Sequence, residues 1–575
     1  MAGIGALTRK GMDFLRTRGV RQTARRAVLH FQRKASERRY VRRMTPGPEQ
    51  LEAQRNRGAS PSDPLFSVIV PLYNTPLDLL EQTIGSVRRQ SYEKWELCLA
   101  DGSDGDHGGV GAFCQAQAAQ DSRIRYRKLE RNEGISGNTN AALAMAAGDY
   151  IALFDHDDLL MPHALFEMAE AIRDQGADFL YSDEMIFRSP RILNIVGIRF
   201  KQDFMPEDLL TNNYICHLTV FRRELLEKAG AFRSAYDGSQ DHDLILRLTA
   251  QARRIVHVPK VLYLWRSIPG STASDVHTKE YAIDAGRRAV ADFLHSHGRP
   301  AARVESSPVF PTMYRITEPL EGNPSVGVFL LNREGLPGEE AAQRIAALRA
   351  ETSWKRCAWH PVSAEGGREA SLARLREEAA RAEEDYLVFL DGIPALRTPD
   401  WIQEMLMLAS QEAVGAVGAK VRFENGRDLR HAGIILGLGR GGVAGRPYFD
   451  RFDDEVGFFG QLAIVRNVMA VTDAWMVGRR KFAEAGGFDP AYAESLFDVD
   501  LCLKLRAKGL RNLWTPDACL CMGRAGDFRM EAGGEWPAYP RDSAVFREKW
   551  AGEIARGDPC YNPNLSLKYE DWRLA

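Results

Sequence analysis

The chain has little cysteine, eight residues in 575, and no CxxC; the only close pair is Cys519 and Cys521. That pattern excludes a disulfide framework and a cysteine zinc site, and it fits a reducing compartment. No apolar run reaches the ~18–20 residues a membrane-spanning helix needs. The N-terminus lacks the apolar stretch of about 7–15 residues that a signal peptide needs. The cytoplasm is therefore the expected location. There is no excess of either charge either: 76 Lys+Arg stand against 77 Asp+Glu. A neutral chain gives no general case for nucleic acid, and none is expected as a partner.

What is present is ordinary globular composition, 45% hydrophobic and 27% charged, in a chain long enough for two to four domains at ~100–200 residues each. The neutral total hides an asymmetry. Residues 1–57 carry 15 basic and 4 acidic side chains. Leu7, Phe14, Val20, Ala24, Val28 and Phe31 recur there at loosely helical spacing, which predicts a basic helical arm over residues 1–45. Such an arm can lie on an anionic membrane surface, placing the protein at the inner face of the membrane, or pack on its own acidic domain. Pro-, Gly- and Ser-rich stretches then predict a linker, and arm and linker together span 1–60.

From Phe66 strands and helices alternate. FSVIVPLYN, WELCLADGSD, Arg123–Leu129 and YIALFDHDD read as strands, with helices over Leu77–Arg89 and Ser136–Ala147. This predicts an α/β fold with a largely parallel sheet, whose ligands bind beyond the carboxyl ends of the strands. Much of the pattern then repeats. FSVIVPLYN is echoed by PSVGVFLLN, YIALFD by YLVFLD, and DHDLILRL from Asp241 by DVDLCLKL from Asp498. Two tandem copies of one domain follow, over 61–298 and 325–575, with a linker at 299–324 and a C-terminal tail closing the second.

The chemistry concentrates in DHDD. Asp155, Asp157 and Asp158 crowded at a strand end repel one another, and a hard divalent cation, Mg²⁺ or Mn²⁺, would relieve that conflict. The bland alternative is a solvated turn capping the next helix. Downstream, Asp241 and Asp243 open a helix; Asp243 suits a cap or loop anchor, and Asp241 a general base.

Taken together, FSVIVPLYN, LADGSD, NEGISGNTNAAL, YIALFDHDDLLMP, YSDE, GSQDHDL and VLYLWR closely resemble a family 2 glycosyltransferase with the GT-A fold, of the tandem two-domain type found in bacterial polysaccharide, O-antigen and rhamnan synthesis. The resemblance implies an inverting transfer from a nucleotide-diphospho-sugar donor to a glycan or lipid-linked glycan acceptor. It implies that Pro71 and Tyr73 line the base and ribose pocket and that Asp101 contacts the nucleoside. Asp155 and Asp157 would hold the metal, with Asp158 beside them at the diphosphate. Asp183 and Glu184 would lie beneath the sugar, Trp265 and Arg266 would flank the diphosphate and acceptor, and Asp241 would be the catalytic base.

The chain departs from the family pattern at Ala100, where relatives have a second acid, and at Leu264, where many have a histidine; the latter puts a third metal ligand in doubt. The second copy has Asp391-Gly392-Ile393-Pro394 in place of the acidic cluster and aligns His360 with Asp101, so it reads as degenerate. GLGRGG at 437–442 fits a dinucleotide-binding pattern but opens no helix, and reads better as an acceptor-side loop. Two other functions fit parts of the pattern. One is a sugar-nucleotide pyrophosphorylase, disfavoured because PLYNTPLDLLEQ lacks Gly, Lys and Arg. The other is a non-catalytic glycan-binding or scaffold protein on a transferase fold.

Overall fold

All seven residues of Phe66–Leu72 are buried, as a strand covered on both faces requires. They form the central strand, β1, of the first sheet in the computed structural model. The model describes residues 31–57, 60, 63–188, 195–267, 280–332, 335–439, 441–449, 451–452, 456–523 and 539–575. The first sheet also contains β2 (Trp95–Asp101), β3 (Ile124–Lys128), β4 (Tyr150–Leu153), β5 (Leu159–Leu160), β6 (Phe179–Phe187), β7 (Ile195–Arg199), β8 (Thr219–Arg222) and β9 (Ile255–Arg266). Their order is β3-β2-β1-β4-β8-β6-β9-β5, with β7 on β6, and β8 runs antiparallel to its neighbours. Pro71 is tolerated inside β1 because its missing N–H faces β4 beyond the last β1–β4 pair, Ile69 with Leu153. The helix Leu77–Arg88 buries Leu80, Ile84 and Val87, one stripe at helical spacing, against this sheet.

The stretch expected as a linker is folded. β10 (Arg303–Ser306) and β11 (Tyr314–Thr317) form an antiparallel hairpin. Ala302, Val304 and Tyr314 bury themselves in the first copy's core, and Arg315 reaches across to Glu404 at 2.5 Å.

The second unit contains β12 (Val326–Leu331), β13 (Cys357–Val362), β14 (Tyr386–Leu390), β15 (Ala395–Leu396), β16 (Val414–Phe423), β17 (Asp428–His431), β18 (Ile435–Leu436), β19 (Ala444–Gly445), β20 (Arg451–Phe452), β21 (Arg466–Val468), β22 (Ala474–Gly478) and β23 (Arg511–Met522). Its order β13-β12-β14-β22-β16, with β23 on β16 and β15 on β23, reproduces the first sheet from β2 to β5. The repeated sequence is thus a repeated topology. Register corrects the alignment of the copies. Phe66 pairs with both Tyr150 and Trp95, and Val326 pairs with both Tyr386 and Cys357. Val326 is therefore the counterpart of Phe66, and Ser363, rather than His360, occupies the position of Asp101. His360 instead bonds Glu384 at 3.0 Å and stacks on Phe329.

The copies share one continuous apolar core. Met185, Ile198, Phe200 and Val261 of the first join Phe458, Leu462 and Tyr561 of the second. The part of the basic arm that is described, a helix over residues 31–44, docks on this seam rather than standing free. Its Tyr40 and Val41 are buried, Tyr40 meets Phe200 edge-on at 5.3 Å, and Glu37 is buried with Lys34 at 2.8 Å. Residues 1–30 of the expected arm lie outside the described residues. Among the described residues no helix is long and apolar enough to cross a membrane.

Trp475 on β22 is buried between Phe389, at 4.7 Å, and Phe488. Trp475→Ala should destabilise the protein by about 3–5 kcal/mol, read as a lowered midpoint in urea unfolding.

Candidate active site

The carboxyl ends of β1, β2 and β4 open onto one side of the first sheet. The loops after β1 and β2 are knitted together: Asn74 N donates to Ser103 Oγ at 2.8 Å, and Asn74 Nδ2 donates to Asp104 Oδ2 at 2.8 Å. Asn74 adopts a left-handed φ of 50° to make this turn. Pro71 is buried in β1, whereas Tyr73, just beyond it, is 47% exposed. Asp101 is buried at the end of β2. It accepts from Ser103 N (2.8 Å), Tyr126 Oη (2.9 Å) and Lys128 Nζ (3.2 Å). Burial alone would raise its pKa, but these donors hold it below the usual carboxylate range. Gly102 is closely packed beside it: a Cβ there would meet Asn138 Nδ2 at 2.7 Å and the Asn132 backbone at 3.1 Å.

After β4 the three acids of DHDD divide. The Asp155 side chain is 47% exposed. Its pKa is raised by its desolvated surroundings and by the charges of Asp157 and Asp241, against the pull of His217. Asp158 turns inward. Only 1% exposed, it accepts from Tyr263 Oη at 2.7 Å and from Arg266 N at 2.6 Å, tying the end of β9 to the loop. Both of its oxygens are thus engaged by protein. Arg266 is buried; its Nε donates to Asp157 O at 2.5 Å and its Nη2 to Gln82 at 3.3 Å. Trp265 lies under Arg199, whose Cζ is 4.9 Å from the ring centre.

Asp183 and Glu184 are adjacent on β6 and serve different partners. Glu184 meets Arg199 at 3.0 Å and Lys201 at 3.4 Å, and the His217 N–H donates to it. Burial would raise its pKa; Lys201, His217 and Arg199 together hold it well below the usual range. Asp183 is bonded by Lys201 N, His257 and Asn562. Asp241 opens the helix Gln240–Gln251, and its Oδ2 accepts from Asn213 Nδ2 at 3.0 Å. Asp243, one turn side away, is buried against Arg233 and Arg247 and anchors the helix.

His217 and Asn213 were not legible in the sequence as site residues. His217 Nε2 stands 3.5 Å from Asp155 Oδ2, and its ring stacks on Tyr263 with centres 4.6 Å apart. Neither residue belongs to a motif; NYICHLTV reads only as the approach to a strand. Leu264, at the position where a histidine was missed, pairs with Leu159 in the sheet. Among the described residues no three His, Cys, Asp or Glu side chains are gathered closely enough to hold a metal ion by themselves. Two carboxylates on one loop, one of them half exposed, nonetheless suit a hard cation that keeps several waters and takes further ligands from a diphosphate.

The model for "Glycosyl transferase family 2" matches residues 67–230. A putative glycosyltransferase, EpsE of Bacillus subtilis (strain 168), is 30% identical over 237 residues, which are 39% of this chain and 80% of that protein. The chain belongs to glycosyl transferase family 2. The O-antigen biosynthesis protein RfbC of Myxococcus xanthus is 30% identical over 545 residues, 89% of this chain and 41% of that protein. An uncharacterized protein, y4gI, of Sinorhizobium fredii (strain NBRC 101917 / NGR234) is 36% identical over 543 residues, 89% of this chain and 59% of that protein. The chain thus spans about half the length of these two longer relatives. It comprises two GT-A-like α/β domains, with the family match in the first.

The corresponding face of the second GT-A-like domain is filled by guanidinium groups. Asp473 precedes β22 as His217 precedes β8. It is fully buried and paired with Arg430 at 3.1 Å and Arg446 at 2.8 Å. Arg430 also donates to Gly523 O at 2.6 Å and to Asp391 O at 3.4 Å. Asp391 and Asp498 are buried, and burial pushes each pKa up to about 6, with the charge of Asp473 adding to the rise at Asp391 and that of Asp391 to the rise at Asp498. β18 and β19, on either side of the glycine-rich sequence, pair antiparallel, and β19 leads into no helix of the kind a dinucleotide site needs.

Burial would raise the Asp473 pKa, but Arg430 and Arg446 hold it at about 2. Because the folded value lies below the unfolded one, near 3.9, its stabilisation is present above about pH 4 and is lost as pH falls toward 2. Asp473→Asn should therefore lower stability at pH 7 by about 2 kcal/mol and flatten the acid limb of a stability–pH profile between about pH 4 and 2.

Proposed function

We propose that the first domain transfers a sugar, with inversion, from a nucleoside-diphosphate sugar to a hydroxyl of a surface-polysaccharide acceptor, in the cytoplasm. The observation that carries this reading is Asp241 at a helix start, its Oδ2 steadied by Asn213 at 3.0 Å, on the same segment that sets His217 3.5 Å from Asp155. In this reading the loops joined by Asn74 and Ser103 receive the nucleoside, with Tyr73 offering a ring face and Asp101 shaping the pocket floor. Asp155 and Asp157 hold Mg²⁺ or Mn²⁺. The cation, when bound, neutralises charge on the departing diphosphate.

The chain's own residues do the rest. Asn213 occupies Asp241 Oδ2, and Oδ1 takes no protein hydrogen bond among the described residues. The acceptor hydroxyl donates to Oδ1 and passes its proton there as its oxygen attacks the anomeric carbon. The attack comes from the face opposite the nucleoside diphosphate, which accounts for inversion. His217, held by Glu184, places an imidazole beside Asp155, and Arg266 fixes the backbone of Asp157. The second domain, whose acids are answered by arginine, takes no donor.

Two outcomes follow. Chelation should abolish transfer and Mg²⁺ or Mn²⁺ should restore it, assayed with a panel of sugar nucleotides; full turnover by the metal-free protein contradicts the cation assignment. Asp241→Asn should lower kcat by roughly 10²–10⁴-fold, whereas Asp498→Asn should leave kcat nearly unchanged. The reverse pattern would put catalysis in the second domain.

A further inference from the structure

The segment from Phe200 to His217 lies between the two domains, and its two faces hold different things. On the first domain's side, Asn213 bonds Asp241 and His217 faces Asp155. On the other side the second domain grips it along its length. Asn562 Nδ2 donates to Lys201 O at 2.8 Å and to both oxygens of Asp183 at 3.0 and 3.1 Å. Asp203 N donates to Pro559 O at 2.9 Å. Glu207 pairs with Arg511 at 2.7 Å. Asp208, only 3% exposed, accepts from Asn467 N at 2.6 Å and Asn467 Nδ2 at 2.8 Å. Thr211 Oγ1 donates to Val465 O at 3.2 Å.

The grip ends where the catalytic contacts begin. Only Asn212 separates Thr211 from Asn213, and the buried Lys201 ammonium bonds Ile215 O at 2.9 Å and His217 O at 2.5 Å. A displacement at Asp208 would therefore be carried by five residues of backbone to Asn213 and the Asp241 carboxylate it orients. Buried charged and polar groups such as Asp208 are strict about geometry, since an unmade bond there leaves a desolvated group unpaired.

We propose that the second domain is the brace of the first domain's catalytic site, with Asn467, Arg511 and Asn562 acting as positioning residues that hold the 200–217 segment in the geometry Asp241 needs. This rests on the transferase reading above. It assigns work to a domain that has exchanged its own donor site for arginine–aspartate pairs.

The test is kinetic, on the full-length chain. Asn467→Ala should lower kcat roughly tenfold, the order expected when a reacting group is displaced by a fraction of an ångström. The KM for the sugar nucleotide should stay within about twofold, because the donor loops are untouched. Asn213→Ala should cause a similar loss. The double variant should be no worse than either single one, because both act through the same contact. Arg511→Lys provides a milder second variant with the same direction of effect. Glu404→Gln weakens a different contact of the second domain, with Arg315 of the linker hairpin at 2.5 Å, and among the described residues Glu404 makes no side-chain bond to the 200–217 segment; it should leave kcat unchanged. An active wild type with unchanged kcat in Asn467→Ala and Arg511→Lys overturns the brace alone, as do multiplicative losses in the double variant or an equal loss in Glu404→Gln. A wild type inert toward every sugar nucleotide overturns the transferase reading, and the brace with it.

Discussion

Carboxylates collected at the ends of buried strands have to be answered by positive charge, and the two domains answer them differently. In the first, Asp155 and Asp157 are left partly open, with His217 beside them and Glu184 behind. In the second, Arg430 and Arg446 close on Asp473, and Arg430 reaches the backbone of Asp391. A guanidinium fixed by several bonds is a permanent counter-ion; an open pair of carboxylates is a site for an exchangeable one. In the proposed reading one fold thus yields a receptive site and a sealed one by the choice of cation.

The difference also explains why the second domain stays. A sealed domain has no demand for motion at its strand ends, so it can be rigid. Its buried tryptophans Trp401, Trp475 and Trp514 and its continuous core with the first domain fit that role. The 200–217 segment of the first domain, which carries Asn213 and His217, is bonded to this neighbour through Asn467, Arg511 and Asn562. The helix over residues 31–44 closes the same seam.

Much of this was written locally in the sequence. The buried runs FSVIVPL and YIAL are strands because nothing polar interrupts them, and DHDD stands out because three acids at a strand end have no local remedy. The helix starting at Asp241 was equally plain from Leu244, Leu246 and Leu248. What escaped was long-range. Nothing around His217 or Asn213 announces that the chain will bring them to Asp155 and Asp241. The echo between the copies hid shifts of two residues in β12 and three in β13, which strand pairing revealed. The proline-containing linker folded because Val304 and Tyr314 found apolar partners in the first domain. The inward turn of Asp158 depends on Tyr263, more than a hundred residues away.

The most direct measurement is crystallographic: Mn²⁺ located by its anomalous scattering in crystals grown with Mn²⁺ and a nucleoside-diphosphate sugar. The account predicts a single peak beside Asp155 and Asp157, with the diphosphate next to it and Arg430 and Arg446 undisturbed in the second domain. A peak near Asp391, or a nucleotide seated among those arginines, would contradict it.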